Sequence, residues 1–243
     1  MLELKDISCS VDNGKEILTN INLTINDDKF VVITGPNGGG KSTLARIIAG
    51  VQKPNSGRIL LNGEDITAKT ISERADMGIS FAFQQPVRFK GITVHDLLNL
   101  AAKEKLANTR ACSYLGEVGL CAKDYIDREV NISLSGGEIK RIEIATVLAR
   151  KTQVSIFDEP EAGIDLWSFN NLIEVFRKMR QEINGAIIII SHQERILDIA
   201  DDIIVLANGK IVNQGVKKDI LPELLGIEND CAFCPLPHKG GIA

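Results

Sequence analysis

No apolar run in the sequence approaches the roughly 18 residues that a membrane-spanning helix requires. Residues 186–190, Ala-Ile-Ile-Ile-Ile, are long enough only for a buried strand. Basic residues are not in excess: 28 Lys and Arg stand against 32 Asp and Glu, a net charge of −4. Nothing in that balance points to a nucleic-acid backbone or to insertion into an anionic membrane. The opening, Met1-Leu2-Glu3-Leu4-Lys5-Asp6, is too charged for a secretory signal. The five cysteines, at 9, 112, 121, 231 and 234, are odd in number and scattered. That excludes a disulfide framework and favours a reducing, cytoplasmic compartment. There is no internal repeat, low-complexity tract or flexible linker, so the expectation is one domain over 1–243. Hydrophobic residues at 44% and charged residues at 25% are enough for a sizeable core.

The first 66 residues read as β-strands joined by tight turns. Leu2-Glu3-Leu4-Lys5-Asp6-Ile7 and Ile21-Asn22-Leu23-Thr24-Ile25 alternate, and Asn13-Gly14 and Asn62-Gly63 are two-residue hairpin signals. Phe30-Val31-Val32-Ile33-Thr34 is continuously apolar, as in a strand buried on both faces, and runs into Gly35. Residues 43–49 then read as a helix ending at Gly50. Helical patterns follow at 94–104, 108–117 and 137–151. Strands return at Val154-Ser155-Ile156-Phe157 and at 186–190, with a helix over 166–182 between them, which makes a βαβ unit with parallel pairing. A last hairpin, 202–215, turns at Asn208-Gly209. The expected fold is α/β, with an N-terminal antiparallel β-subdomain, a helical insertion at about 86–150 and a cysteine-bearing tail at about 226–243.

Three segments carry chemistry. Gly35-Pro36-Asn37-Gly38-Gly39-Gly40-Lys41-Ser42, followed by Thr43, fits the phosphate-loop pattern, with a strand before it and a helix after. The glycines let successive N–H groups turn toward one anion at the positive end of a helix. Lys41 would neutralise the β and γ phosphates of ATP, and Ser42 would offer its hydroxyl to Mg²⁺. Val154-Ser155-Ile156-Phe157-Asp158-Glu159 is an apolar strand ending in two carboxylates at the sheet edge where ligands of α/β proteins sit. Asp158 would hold the magnesium water shell and Glu159 would polarise the attacking water. Leu134-Ser135-Gly136-Gly137-Glu138 opens a helix and forms either a second anion cradle or an ordinary Ser N-cap. One ATP has no need of two cradles in one chain.

Phosphate loop, Gln84, Leu134-Ser135-Gly136-Gly137-Glu138, Asp158-Glu159 and His192, in that order, resemble an ABC-type ATPase domain over residues 2–220. The resemblance implies two subunits paired head to tail, each ATP lying between one phosphate loop and the other subunit's Ser135 cradle. It implies that Gln84 senses magnesium and water, that Glu159 is the catalytic base, that His192 reads the γ phosphate and that Asp165 closes the loop after Glu159. Standing alone, a His after a strand reads more simply as a satisfied loop residue. Two departures are visible. The first hairpin, Cys9-Ser10-Val11-Asp12-Asn13-Gly14, has no aromatic residue to stack on adenine, and the loop Ala162-Gly163-Ile164-Asp165 lacks the usual hydroxyl.

Within that superfamily, size favours the motor of a membrane transporter. Glu138 after the two glycines, His192-Gln193-Glu194-Arg195-Ile196-Leu197, Ala82-Phe83-Gln84-Gln85-Pro86 and Glu73-Arg74-Ala75 resemble instead the soluble SufC-type ATPases of the SUF iron–sulfur cluster assembly machinery. That resemblance implies an ATP-dependent homodimer that reshapes a SUF-type scaffold protein, with ATP and Mg²⁺ as its cofactors. Residues 84–96 lie between the magnesium-sensing loop and the insertion, so Arg88 and Phe89 are the expected partner contacts, an aromatic anchor beside positive charge. The alternative for Phe89 is simply core beneath the insertion. Cys231, Cys234 and His238 could supply three ligands of a metal site, or belong to a frayed, reduced terminus between Pro222 and Pro237.

Overall fold

In the computed structural model, which describes residues 1–227 other than 12, 13, 86, 151 and 183, four strands within the first 65 residues form an antiparallel sheet. Strand β1 (Leu2–Ser10) pairs with β2 (Glu16–Ile25) on one side and with a later strand on the other. Its buried residues change parity along its length: Leu2 and Leu4, then Ile7 and Cys9. A bulge allows this, with Asp6 at φ 55° and a register shift between Leu4 and Ile7. The connection from β1 to β2 spans residues 11–15 rather than two residues, closed by Val11 N–H to the Lys15 carbonyl (3.0 Å). Asn13 itself lies outside the described residues.

Next come β3 (Phe30–Thr34), α1 (Lys41–Ala49), β4 (Ser56–Leu61), β5 (Glu64–Asp65), α2 (Ile71–Asp76) and β6 (Ile79–Ala82). Asn62 and Gly63, at φ 51° and 83°, form the two-residue β4–β5 turn that the Asn-Gly pair predicts. Helices α3 (Val94–Ala102), α4 (Asn108–Glu117), α5 (Ala122–Tyr125) and α6 (Gly136–Arg150) form the insertion, with α6 packing on α3, α4 and β6. The chain closes with β7 (Val154–Asp158), α7 (Leu166–Glu182), β8 (Ala186–Ile190), α8 (Glu194–Asp198), β9 (Asp202–Ala207), β10 (Lys210–Val216) and α9 (Lys217–Ile227).

The second sheet has the order β10-β9-β3-β8-β7-β6, parallel except for the β9–β10 hairpin. Its central strands are buried on both faces, which is why they read as unbroken apolar runs. Phe30, Val32, Phe157, Ile187 and Ile189 face the helices of the insertion and α7. Val31, Ile33, Ile156, Ile188 and Ile190 face α1 and the N-terminal sheet. Because β3, β7 and β8 run in register, with Ile33 opposite Ile190 and Ile190 opposite Asp158, three chain segments leave the sheet at one edge. Those segments begin with Gly35, Glu159 and Ser191.

Five elements lie outside the patterns expected from the sequence: α2, β6, α5, α8 and α9. Strand β6 is four residues long and is held by parallel pairing with β7. Helix α9 continues through Pro222 to Ile227, so the chain is helical where a frayed end was one reading. Cys231, Cys234 and His238 fall outside the described residues. Among the described residues Cys9, Cys112 and Cys121 are free thiols, and no helix is long and apolar enough to cross a membrane.

Arg74 is the largest fully buried side chain, 1% exposed. Its guanidinium donates to the carbonyls of Ile47 (2.6 Å), Ile48 (2.8 Å), Thr67 (2.9 Å) and Lys69 (3.2 Å). The first two are last-turn carbonyls of α1, so the cation sits at the negative end of the helix whose other end opens the phosphate loop.

Candidate functional site

The phosphate loop joins β3 to α1, and its glycines are required by the chain's own packing. Gly35 at φ 129° and Gly40 at φ 102° hold conformations that L side chains rarely adopt. A Cβ on Gly35 would lie 2.1 Å from the Leu206 carbonyl oxygen, and one on Gly39 would lie 2.7 Å from the same atom. Pro36, Asn37 and Gly38 form the crest of the loop, closed by Gly39 N–H to the Pro36 carbonyl (3.1 Å). Lys41 is 5% exposed and its ammonium folds back onto the carbonyls of Gly35 (2.8 Å) and Pro36 (3.0 Å), inside the ring of glycines. Burial lowers its pKa, opposed by the charges of Glu159 and Asp158. Ser42 donates to Asp158 Oδ1 at 2.9 Å, and Thr43 follows it on the first turn of α1. A hydroxyl and a buried carboxylate, hard oxygen donors side by side, fit a magnesium ion. Burial, first of all, raises the Asp158 pKa.

Glu159 follows the last residue of β7 and takes φ 45°, with its N–H bonded to the Ile190 carbonyl (3.0 Å). Its Oε2 accepts from Gln84 Nε2 at 2.5 Å, joining two residues 75 positions apart. His192 is exposed at the same edge, and partial burial, then the charge of Lys41, lowers its pKa. The β-sheet edge therefore brings Lys41, Ser42, Gln84, Asp158, Glu159 and His192 together. Lys140 has no role in the motif reading, yet it is 3% exposed beneath this cluster. Its ammonium donates to the Phe83 carbonyl (3.0 Å) and reaches the Glu159 carbonyl at 3.5 Å, holding both loops from below. One turn on, Glu143 accepts the Phe83 N–H at 3.1 Å, and burial pushes its pKa up to about 7.

Leu134 is buried, whereas Ser135 and Gly136 are exposed. Ser135 and Glu138 form a capping box on α6: Ser135 N–H donates to Glu138 Oε2 (2.7 Å) and Glu138 N–H to Ser135 Oγ (3.2 Å). Tyr125 donates to the other oxygen of Glu138 at 2.5 Å. Gly137 differs from the phosphate-loop glycines. It is not among the residues with positive φ, and a Cβ there would meet nothing within 4 Å. The subunit's own packing does not demand glycine at 137. Asp165 caps α7, accepting from Ser168 N–H (3.0 Å) and Ser168 Oγ (2.7 Å).

Of the expected partner contacts, Arg88 is exposed but Phe89 is half-buried and packs against the larger core cluster. It lines a mainly apolar cavity of about 260 Å³ with Phe81, Phe83, Val87 and Leu97. Phe89 is therefore a cavity wall rather than a fully exposed anchor, and Val87, 46% exposed, is the apolar side chain that faces outward there. Val11, at the position where an adenine-stacking aromatic was sought, is 42% exposed.

Residues 18–162 match the ABC transporter family model. The chain is 38% identical over 228 residues, 90% of each chain, to an uncharacterised ABC transporter ATP-binding protein of Methanocaldococcus jannaschii. It is 33% identical to the probable ATP-dependent transporter ycf16 of Cyanidium caldarium, covering 88% of this chain and 90% of that one. It is also 33% identical to the spermidine/putrescine import ATP-binding protein PotA of Mesoplasma florum, matching 92% of this chain but spanning only 63% of that protein. Among solved structures, cbiO1 of Clostridium perfringens, part of the ABC transporter complex cbiONQ, superposes with a TM-score of 0.76 at 28% identity, covering 94% and 93% of the two chains. A dimeric ATP-binding cassette bound to ADP and phosphate shares the fold at a TM-score of 0.79 and 24% identity, covering 89% and 99%.

Proposed function

The chain belongs to the ABC transporter family and hydrolyses ATP, and from that premise we propose that it is the energy-converting subunit of an ABC system. Lys41 and the loop glycines receive the β and γ phosphates. Ser42, Gln84 and Asp158 would hold Mg²⁺, which would supply positive charge to neutralise the phosphates. Glu159 orients and deprotonates the attacking water, and His192 contacts the γ phosphate. The observation that carries the catalytic assignment is the 2.5 Å bond from Gln84 to Glu159, which ties the loop after β6 directly to the base.

A second subunit completes the site. Gly137 at an exposed helix start, unconstrained by its own fold, fits a backbone that must approach something outside the subunit. The Ser135 cradle, Leu134 to Glu138, then closes on the ATP held by the other chain, with Asp165 at the junction. ATP binding favours the closed pair because only that state uses both cradles.

The names of the curated relatives support a membrane transporter as what the dimer drives, with its permease docking beside Arg88, Val87 and the wall formed by Phe89. A specific observation supports a second reading, a soluble SUF-type scaffold: Ser-Gly-Gly-Glu138, Glu73-Arg74-Ala75 and His192-Gln193-Glu194-Arg195-Ile196-Leu197 resemble the SufC-type ATPases. Purification of the native complex decides between them. A multi-span membrane protein bound to wild type and lost with Arg88→Glu/Val87→Asp supports the transporter. A soluble partner with the same dependence supports the scaffold, and binding indifferent to both substitutions refutes the docking surface.

A further inference from the structure

Glu161 carries no role in any reading given so far, yet its surroundings are unusual. It lies two residues beyond Glu159, and its Oε1 accepts the Ser191 hydroxyl at 2.5 Å. The same hydroxyl oxygen accepts the Gln193 N–H at 3.0 Å, so it spans the residue between them, His192. Ser191 is fully buried, and its own N–H is tied to the Ile33 carbonyl at 3.2 Å. Behind Glu161 the backbone is knotted into consecutive turns, Ala162 N–H to the Glu159 carbonyl (3.0 Å) and Ile164 N–H to the Glu161 carbonyl (3.1 Å), which deliver Asp165 to the start of α7. The second carboxylate oxygen, Oε2, is buried without a hydrogen-bond partner. An orphaned buried acceptor is a cost that folding alone would select against, and a shorter or apolar side chain would remove it.

We propose that Glu161 is a positioning residue for His192: its carboxyl holds Ser191 so that the His192 loop and the segment from Glu159 to Asp165 move as one body. The inference rests on the assignment of His192 to the γ phosphate. Its consequence is that loss of the γ phosphate at His192 is transmitted through one side-chain bond to Asp165, at the subunit junction. Glu161 touches no reacting atom and acts through Ser191.

The test compares Glu161→Ala, Glu161→Gln, Ser191→Ala and His192→Ala in the full chain, by turnover, by equilibrium binding of a fluorescent ATP analogue and by hydrogen exchange. Glu161→Ala and Ser191→Ala should each lower kcat about tenfold with the nucleotide Kd within about twofold, since only the geometry of the transition state is disturbed. The double variant should be no worse than either single one. Glu161→Gln keeps an acceptor for the Ser191 hydroxyl and should recover most of the loss. Amide exchange over residues 191–195 should quicken in Glu161→Ala while the rest of the sheet is unchanged, a readout that does not depend on turnover. Wild-type turnover in Glu161→Ala, fully additive losses in the double variant, or unchanged exchange at 191–195 would each overturn the proposal. If His192→Ala itself turns over normally, the γ-phosphate assignment fails instead. Should Glu161→Ala not fold, Ser191→Ala and Glu161→Gln carry the same comparison.

Discussion

Replacing Arg74 should unlock the phosphate-loop helix from its far end. Four carbonyls, those of Ile47, Ile48, Thr67 and Lys69, receive the guanidinium, and Arg74 is 1% exposed. Arg74→Met keeps much of the volume but leaves those carbonyls with no donor in a site closed to water. Hydrogen bonds from a charged donor contribute about 1.5–3 kcal/mol each, but the four share one group and are not additive. A buried carbonyl left without a donor costs about 1–3 kcal/mol, and with several acceptors sharing one lost group the expected total is about 3–5 kcal/mol. For a chain of this size each kcal/mol moves Tm by about 2–4 °C, so the midpoint should fall by roughly 6–20 °C. Arg74→Lys, with one ammonium in place of the planar fork, should fall between wild type and Met. Urea unfolding followed by circular dichroism measures the change directly. A Met variant within about 1 kcal/mol of wild type would refute the reasoning, because it would mean that those carbonyls find other partners.

Lys41→Ala should weaken ATP binding sharply, whereas His192→Ala should leave Kd nearly intact and lower kcat; titration calorimetry alongside turnover checks both, and equal losses of affinity would merge the two roles. Glu159→Gln should accumulate an ATP-bound dimer visible by light scattering, and a variant that stays monomeric at high protein concentration counts against the shared site. Glu143 titrates at about 7 in the fold against an ordinary 4.5, so the folded state binds that proton more tightly than the unfolded chain does. Its contribution to stability is complete below the unfolded value and is lost as pH rises through about 7, on the order of 2–3 kcal/mol after allowance for its partial exposure. Glu143→Gln should abolish that decline, and urea midpoints for the two proteins that run parallel from pH 5 to pH 8 would show the assignment to be wrong.

The parts of the fold legible in the sequence are those governed by local rules. The apolar runs at β3, β7 and β8, the Asn62-Gly63 and Asn208-Gly209 turns, and α7 over 166–182 all depend on residues within a few positions of one another. So does the phosphate loop. What escaped depends on distant partners. Strand β6, four residues without alternation, exists because β7 pairs with it across a long insertion. The Asn13-Gly14 pair predicts a two-residue turn, but the β1–β2 pairing ends at Ser10 and Glu16, so the connection takes residues 11–15 and closes through Val11 and Lys15. Lys140 could have been noticed as a cation inside an otherwise apolar helix face, but its targets at Phe83 and Glu159 lie in two separate loops. The Arg74 side chain and the Glu161–Ser191 bond leave no periodic trace at all, since each joins segments 26 to 30 positions apart.

Glu159 sits at φ 45°, a conformation that glycine or asparagine adopts at less cost, by about 1–2 kcal/mol for glycine. Chemistry and backbone therefore pull this position toward different residues. A lineage bred for heat tolerance, and excused from turning over ATP, would drift toward Glu159→Gly and gain stability by losing its base. The way back is uphill. A descendant restoring glutamate must first gather the missing stability elsewhere, so the loss of activity at this position behaves as a ratchet.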